Sequence, residues 1–350
     1  MIDLIIPMYN AEEHIDKLFG SICAQTKEHA AIITVVNDHC TDNSIEKVKQ
    51  WRDFTGLPIT ILTPPEKIGW PGLVRQYGIE HTKAEHIMFL DSDDELLPQA
   101  FDYLSYAIKS TNADIVISHF VVETGDLRDY EQGIQNGGFT WLHGNIYKRK
   151  FLEDNNIKFK AGYNEDGTFN LKCLLLSNDI YECDKQTYIW HNNKSSITRS
   201  TKHYISENLE DIIGGYLGTY SDYLNTILPN LNKEERYLKL LERNKENDRY
   251  WSNAIGHLGL MFKWYNDFIA QNEDKQAKEK LINLGKRFVD ETMLDLLYNQ
   301  DFVEDVYKAA LSKRLPIIQF ITLNQFLNLL GVYLDLRSEK IIRTFGGSVV

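Results

Sequence analysis

Cysteine is scarce: the 350 residues hold four, Cys23, Cys40, Cys173 and Cys183, with no CxxC pair and no zinc-type tetrad. Thiols so thinly spread fit a reducing compartment and exclude a disulfide framework. Positive charge is also short. There are 50 Asp+Glu against 38 Lys+Arg, a net charge of −12, and the imbalance lies in the first 200 residues, where 29 acidic residues face 19 basic ones. The last 150 carry 21 against 19. An acidic N-terminal part repels polyanions, which argues against a broad nucleic-acid groove there, while the nearly neutral remainder can hold a local basic patch. Long apolar runs are missing. The nearest, Leu315 to Leu336, is interrupted by Gln319, Asn324, Gln325 and Asn328 and is too polar to span a bilayer. Met1 leads straight into Ile2-Asp3-Leu4 without a basic or long apolar leader segment, so a cytoplasmic location is expected. A glycine-rich phosphate loop is absent where Pro7-Met8-Tyr9-Asn10 stands, which weighs against a nucleotidyltransferase.

What is present is an ordinary globular composition, 43% hydrophobic and 25% charged, over a length that suits two domains. Through the first 120 residues short apolar runs alternate with helical spacing. Strands are expected over Ile2–Met8, Ala31–Val36, Ile59–Leu62, His86–Leu90 and Asp114–Ser118, and helices over Glu12–Gln25, from Asp42-Asn43-Ser44 through Trp51, over Gly72–His81 and over Pro98–Lys109. Such alternation builds an α/β fold with a mostly parallel sheet flanked by helices. Ligands of these sheets sit beyond the carboxyl ends of the strands. Three of those ends are polar: Tyr9-Asn10, Asn37-Asp38 and Asp91-Ser92-Asp93-Asp94. The pattern is mixed from Phe139 to Thr198 and mainly helical beyond Tyr204, so a first domain over 1–204 and a helical C-terminal domain over 205–350 are expected.

The run Asp91-Ser92-Asp93-Asp94 follows a buried strand. Solvated turn acids are one explanation; a cation site is the other, because clustered carboxylates repel one another unless a cation neutralises them. Hard oxygen donors suit Mg²⁺ or Mn²⁺.

These segments together resemble a family 2 glycosyltransferase with the GT-A, Rossmann-like fold. Ile5-Ile6-Pro7-Met8-Tyr9-Asn10 is similar to the family's opening strand and turn, and Val35-Val36-Asn37-Asp38-His39-Cys40-Thr41-Asp42-Asn43-Ser44 to the segment written VDDGSTDNS. Arg75 and Gly78 fit the RN-x-G helix, Phe89 to Asp94 the DxD segment, Glu165-Asp166 with Phe169 the ED segment, and Ser196-Ile197-Thr198 the closing motif. Asn37, His39-Cys40, Lys67 and Gln76 depart from the pattern and put the donor nucleotide and sugar in doubt.

The resemblance implies a nucleotide-sugar part over about 1–118 and an acceptor part over about 119–204. Pro7, Tyr9, Asn10, Asp38, Lys67, Arg75, Asp91 and Ser92 would bind a nucleoside-diphosphate sugar, a UDP-sugar foremost. Asp38 is otherwise a helix N-cap, Tyr9 a half-buried aromatic, and Lys67 and Arg75 solvated cations. Asp93 and Asp91, with His191 as a third contact, would hold Mn²⁺ or Mg²⁺, Asp94 orienting the loop; His191 is otherwise structural. Asp166 would be the general base of a single inverting displacement, with Glu165 supporting it or serving in its place. Trp141, His143, Tyr163 and Trp190 would meet the acceptor or pack the core. The Q-x-x-R-W motif of processive synthases is absent, so transfer of one sugar per encounter is expected. The acceptor implied is a surface glycan, glycolipid or wall-polymer precursor. Alternatives are hydroxymethylated bases of phage DNA or a non-catalytic nucleotide-sugar or glycan-binding module. Lys313-Arg314, the apolar run 315–334, then Arg337, Lys340 and Arg343 read as a buried helix, a peripheral membrane contact, a homo-oligomer face or a phosphate contact.

Overall fold

Strand β1 (Ile2–Met8) is apolar on both sides, and its alternation decides what covers it. Leu4, Ile6 and Met8 join a cluster with Ile15, Leu18 and Phe19 of α1 (Ile15–Cys23), Val48 of α2 (Ser44–Thr55) and Leu104 of α4 (Ala100–Thr111). Ile5 points the other way, to α3 (Pro71–Glu80), where Gly78 permits a close approach: a Cβ there would stand 2.5 Å from the Ile5 Cγ2. Burial of both faces is what a central parallel strand requires. Pro71 opens α3 with its φ already helical, and Gly56, at φ 69°, ends α2 in the left-handed conformation.

In this computed structural model the described residues are 1–25, 31–123, 127–130, 141–177, 179–191 and 193, with scattered positions between 208 and 235. The chain divides into two units, Met1–Gly133 with Phe139–Lys202, and Ile134–Gly138 with His203–Val350. The motif at Ser196-Ile197-Thr198, the apolar run 315–334 with its basic flanks, and nearly all of the expected helical domain lie outside the described residues. Among those that are described, no helix is long and apolar enough to cross a membrane.

The sheet of the first unit has nine strands among the described residues. Their order is β3 (Ile59–Leu62), β2 (Ile32–Asn37), β1, β4 (His86–Phe89), β8 (Ile146–Lys148), β6 (Ile115–Glu123), β9 (Ile180–His191) and β5 (Glu95–Leu96), with β7 (Leu127–Tyr130) beside β6. The first four are parallel, as the alternation predicts. The rest corrects the mostly parallel sheet to a mixed one. β8 runs antiparallel between β4 and β6, so β6 does not pair with β4, and β5 is antiparallel to β9. The physical reason is that β8 pairs with both β4 and β6, so the edge of β4 that β6 would take is occupied. β6 also extends to Glu123, well past the expected Ser118, because β9 pairs with it in parallel along its full length.

Two short helices complete the unit, α5 (Arg149–Asp154) and α6 (Glu165–Leu176). α6 rests on an aromatic layer in which Phe169 stacks on Phe159 at 4.0 Å, with Phe89 of β4 edge-on to both. That layer holds the N-terminus of α6 beside the end of β4. At the opposite end of the sheet, buried Asp3 accepts from the Ala84 N–H at 2.6 Å and from Arg149 at 2.8 Å.

Candidate active site

The loops beyond β1, β2 and β3 are tied to one another by short polar side chains. Asn10, at φ 50°, accepts from the Thr41 N–H at 2.8 Å and donates to the Thr41 hydroxyl at 3.1 Å. Asn37 accepts from the Cys40 N–H at 2.8 Å and donates to Thr63 at 3.2 Å. Asp38 is buried, and its two oxygens accept from the Ile68 and Gly69 N–H groups at 2.6 and 2.8 Å. It does not cap α2: the N-cap residue there is Asn43, and Asp42 accepts from the Ser44 N–H at 3.0 Å. By holding 68–69, Asp38 also positions Lys67, whose ammonium lies 3.6 Å above the ring of the half-exposed Tyr9. Pro7 lies next to the end of β1, opposite Val36.

The acidic run after β4 is arranged unevenly. Asp91 pairs with Arg75 of α3 at 2.5 Å, and the other arm of that buried guanidinium reaches Glu165 of α6 at 2.9 Å. Burial pushes the Asp91 carboxyl up, but Arg75 and then His143 outweigh it and leave it below the usual range. Arg75 itself is desolvated, yet Asp91 and Glu165 raise its proton affinity further. Asp94 is fully buried and held by the Tyr188 hydroxyl at 2.6 Å and the His191 N–H at 2.8 Å; burial, with Asp91 and Asp93 nearby, drives its carboxyl far above the usual range. Asp93 is raised by burial and by Asp91, and faces Asn193 at 3.5 Å. Ser92 lies between them in the turn, part-exposed.

Sequence reasoning puts Asp91, Asp93 and His191 around a cation. The structure gathers a different set: Asp91, Asp94 and His143 offer donor atoms all within 4.8 Å of one another. Tyr188 explains the grouping, because its ring stacks on His143 at 4.8 Å while its hydroxyl serves Asp94 and accepts from the Asp91 N–H at 3.2 Å. His191 is engaged on both ring nitrogens, by Glu95 at 2.7 Å and by Glu123, which spends the lone pair a metal needs. Two carboxylates and an imidazole are a donor set that fits Mn²⁺ or Mg²⁺, the imidazole inclining it to Mn²⁺.

Glu165 and Asp166 open α6, where the helix N-terminus favours negative charge. Adjacent in sequence, they differ in surroundings. Glu165 is neutralised by Arg75. Asp166 accepts from the Gly167 N–H at 2.8 Å, and its carboxyl is pushed up to about 7 by burial and by Glu165, with Arg75 opposing. A buried carboxyl whose proton affinity is raised toward neutrality is the kind of group from which a general base is drawn.

The four aromatic candidates separate into two groups. Trp141, His143 and Trp190 pack around Phe120 at 5.8, 5.0 and 6.4 Å between centroids, next to the acidic run. Tyr163 lies two residues before Glu165 and meets Trp70 edge-on at 5.4 Å. Trp70 is the N-cap residue of α3 and follows the loop of Lys67, so this pair joins that loop to the segment leading into the helix carrying Asp166.

Comparison with known proteins finds a family model, sequence relatives and solved structures of the same fold. The family model described as glycosyl transferase family 2 matches residues 3–165. The poly(ribitol-phosphate) beta-N-acetylglucosaminyltransferase TarP of Staphylococcus aureus strain N315 is 28% identical over 293 residues, which cover 76% of this chain and 86% of TarP. TarS of S. aureus strain MW2, with the same described activity, is 25% identical over 72% of this chain; the match spans 48% of TarS, about half its length. The crystal structure of S. aureus TarS 1–349 in complex with UDP-GlcNAc has the same fold, with a TM-score of 0.68 at 20% identity over 96% of this chain and 91% of that one. The expected GT-A-like fold is the one observed, and residues 3–165 of the chain match the model of glycosyl transferase family 2.

Proposed function

We propose that the protein transfers one sugar from a nucleoside-diphosphate sugar to an acceptor hydroxyl, with inversion, and that Asp166 is the general base. The observation that carries this is the Asp166 carboxyl at about 7, beside a Glu165 that is bound through Arg75 to Asp91. A free sugar hydroxyl is too weakly acidic to ionise, so a carboxylate must take its proton as the new bond forms. Asp166 accepts that proton, the hydroxyl oxygen bonds to the anomeric carbon, and the bond from that carbon to the diphosphate breaks with its electron pair leaving on phosphate. Asp91, Asp94 and His143 would hold the dication, and Mn²⁺ or Mg²⁺ bound there supplies positive charge to the departing diphosphate.

Pro7, Tyr9, Asn10, Asp38, Lys67 and Ser92 frame the donor, Tyr9 offering a ring face to the base. Asp93, half-buried beside the cation set, adds negative charge that strengthens cation binding. Tyr163, with Trp70, gives the acceptor an apolar face next to Asp166. A UDP-sugar donor is supported by the UDP-GlcNAc complex of TarS, and a wall-polymer or related glycan acceptor by the poly(ribitol-phosphate) described for TarS and TarP. The four free thiols accord with work in a reducing cytoplasm. A binding module has no use for a base of raised proton affinity, and the acidity of the first 200 residues disfavours DNA.

The test is to incubate the full chain with UDP-GlcNAc or UDP-glucose, Mn²⁺ and either poly(ribitol phosphate) or hydroxymethylated DNA, and to weigh the products by mass spectrometry. A hexose or N-acetylhexosamine added to the polymer alone supports the proposal. Addition to DNA alone, or UDP bound with no transfer to either, contradicts it.

A further inference from the structure

Arg75 is the least solvated cation near the site, 6% exposed, and its two terminal nitrogens are each committed to a carboxylate from a different part of the chain. Asp91 follows β4 on the donor side; Glu165 opens α6 on the acceptor side. Among the described residues the Arg75 Nε has no hydrogen-bond partner, so the two carboxylates alone orient the guanidinium by hydrogen bonding, above the ring of Phe159 at 6.0 Å. With the Nε unserved, the two carboxylates are what compensate this buried charge, and losing either one leaves it poorly paired.

We propose that Arg75 is a positioning residue that fastens the donor-side carboxylate Asp91 to the acceptor-side carboxylate Glu165 and thereby sets where the base Asp166 stands relative to the departing diphosphate. This rests on the functional assignment above. Its direct partners are two carboxylates, and the planar fork of arginine is what lets one cation bridge both of them; the ammonium of lysine is a point charge without that span. Glu165 thus has a role separate from proton transfer: it anchors the start of α6, and Asp166, the next residue, follows. In this role Arg75 acts through these two carboxylates.

Two measurements on the full chain decide the matter. In the first, wild type, Arg75→Ala and Arg75→Lys are compared for Mn²⁺·UDP affinity by calorimetry and for UDP-GlcNAc turnover, with and without millimolar guanidinium. A misplaced reacting group costs on the order of 10²-fold and loss of the support of a ligand about tenfold, so Arg75→Ala loses about 10²-fold in kcat and no more than about tenfold in Mn²⁺·UDP affinity. Added guanidinium recovers part of the loss, and Arg75→Lys recovers less than guanidinium does. Affinity falling in step with kcat would mean that Arg75 holds the diphosphate itself, and an unchanged kcat or a folded variant deaf to guanidinium would likewise overturn the proposal. In the second, thermal unfolding of Arg75→Ala, Glu165→Gln and the double variant needs no turnover. Non-additive shifts are expected from a coupled pair, and additive shifts overturn it. A wild type that turns over no donor counts against the functional assignment alone, and the unfolding cycle still decides Arg75.

Discussion

Gly72 on α3 lies directly beneath Glu165: a Cβ at position 72 would stand 2.4 Å from the Glu165 Cγ and 3.0 Å from its Cβ. Neither of those atoms is the free end of a side chain, so any side chain at 72 displaces Glu165 or α6.

Gly72→Ala is therefore expected to lose about 1–3 kcal/mol of stability, as overpacking does, and to slow transfer by moving Glu165 away from Arg75. Urea unfolding reads the first and donor turnover the second. A variant with wild-type stability and rate would show that Glu165 is not confined there.

The raised proton affinity of Asp166 gives a pH dependence of definite sign. The base must be ionised to work, so transfer rises with pH through about 7 and levels off above it. Stability runs the other way. The folded chain holds this proton more tightly than an ordinary carboxyl at 3.8, so the contribution is present at low pH and lost as pH rises through about 7. Asp166→Asn should accordingly be more stable than wild type above pH 7, the difference closing toward 3.8. Melting temperatures across that range check it, and a constant difference contradicts it.

In the proposed cation site His143 stands where the resemblance implies His191. Replacing a ligand costs at least the tenfold or more typical of the groups that support one, so His143→Ala should weaken Mn²⁺ binding by more than about tenfold. His191→Ala should change it by less, since the contact to Asp94 is made by its backbone N–H, which alanine keeps. Titration of Mn²⁺ followed by electron paramagnetic resonance distinguishes the two.

Asp3 and Arg149 lie at the far end of the sheet from the site. The Arg149 guanidinium also serves the Ile79 and Ala84 carbonyls and the Thr82 hydroxyl, at 2.7 to 2.8 Å. Breaking a buried pair by removing one partner costs about 3–5 kcal/mol, so Asp3→Ala should destabilise the chain by that order while UDP affinity at permissive temperature is unchanged. Denaturant midpoints and calorimetry measure the two separately.

Local pattern carries the parallel half of the fold. β1 and β3 are found at the expected residues because each is a compact apolar run with a breaker behind it, and β2 and β4 shift by a residue or less at either end. β8 is invisible in the same way: three residues have no periodicity to read, and the partner strand β4 is remote in sequence. The acids of the site are legible by type and place, at a strand end and a helix start. The roles of Asp94, His143 and Arg75 are not, because they depend on Tyr188 of β9 and on α3, β4 and α6 converging, which spacing along one chain does not reveal. Glu165 and Asp166 are indistinguishable as neighbours in sequence; the guanidinium of Arg75 separates them in space.

Proton removal by Asp166 is tested most directly by single-turnover transfer from a saturating UDP-sugar with Mn²⁺, comparing wild type with Asp166→Asn at pH 8. The asparagine variant should bind donor with unchanged affinity and transfer about 10²- to 10⁴-fold more slowly, the range that general base catalysis contributes. Transfer at the wild-type rate by that variant would contradict the account.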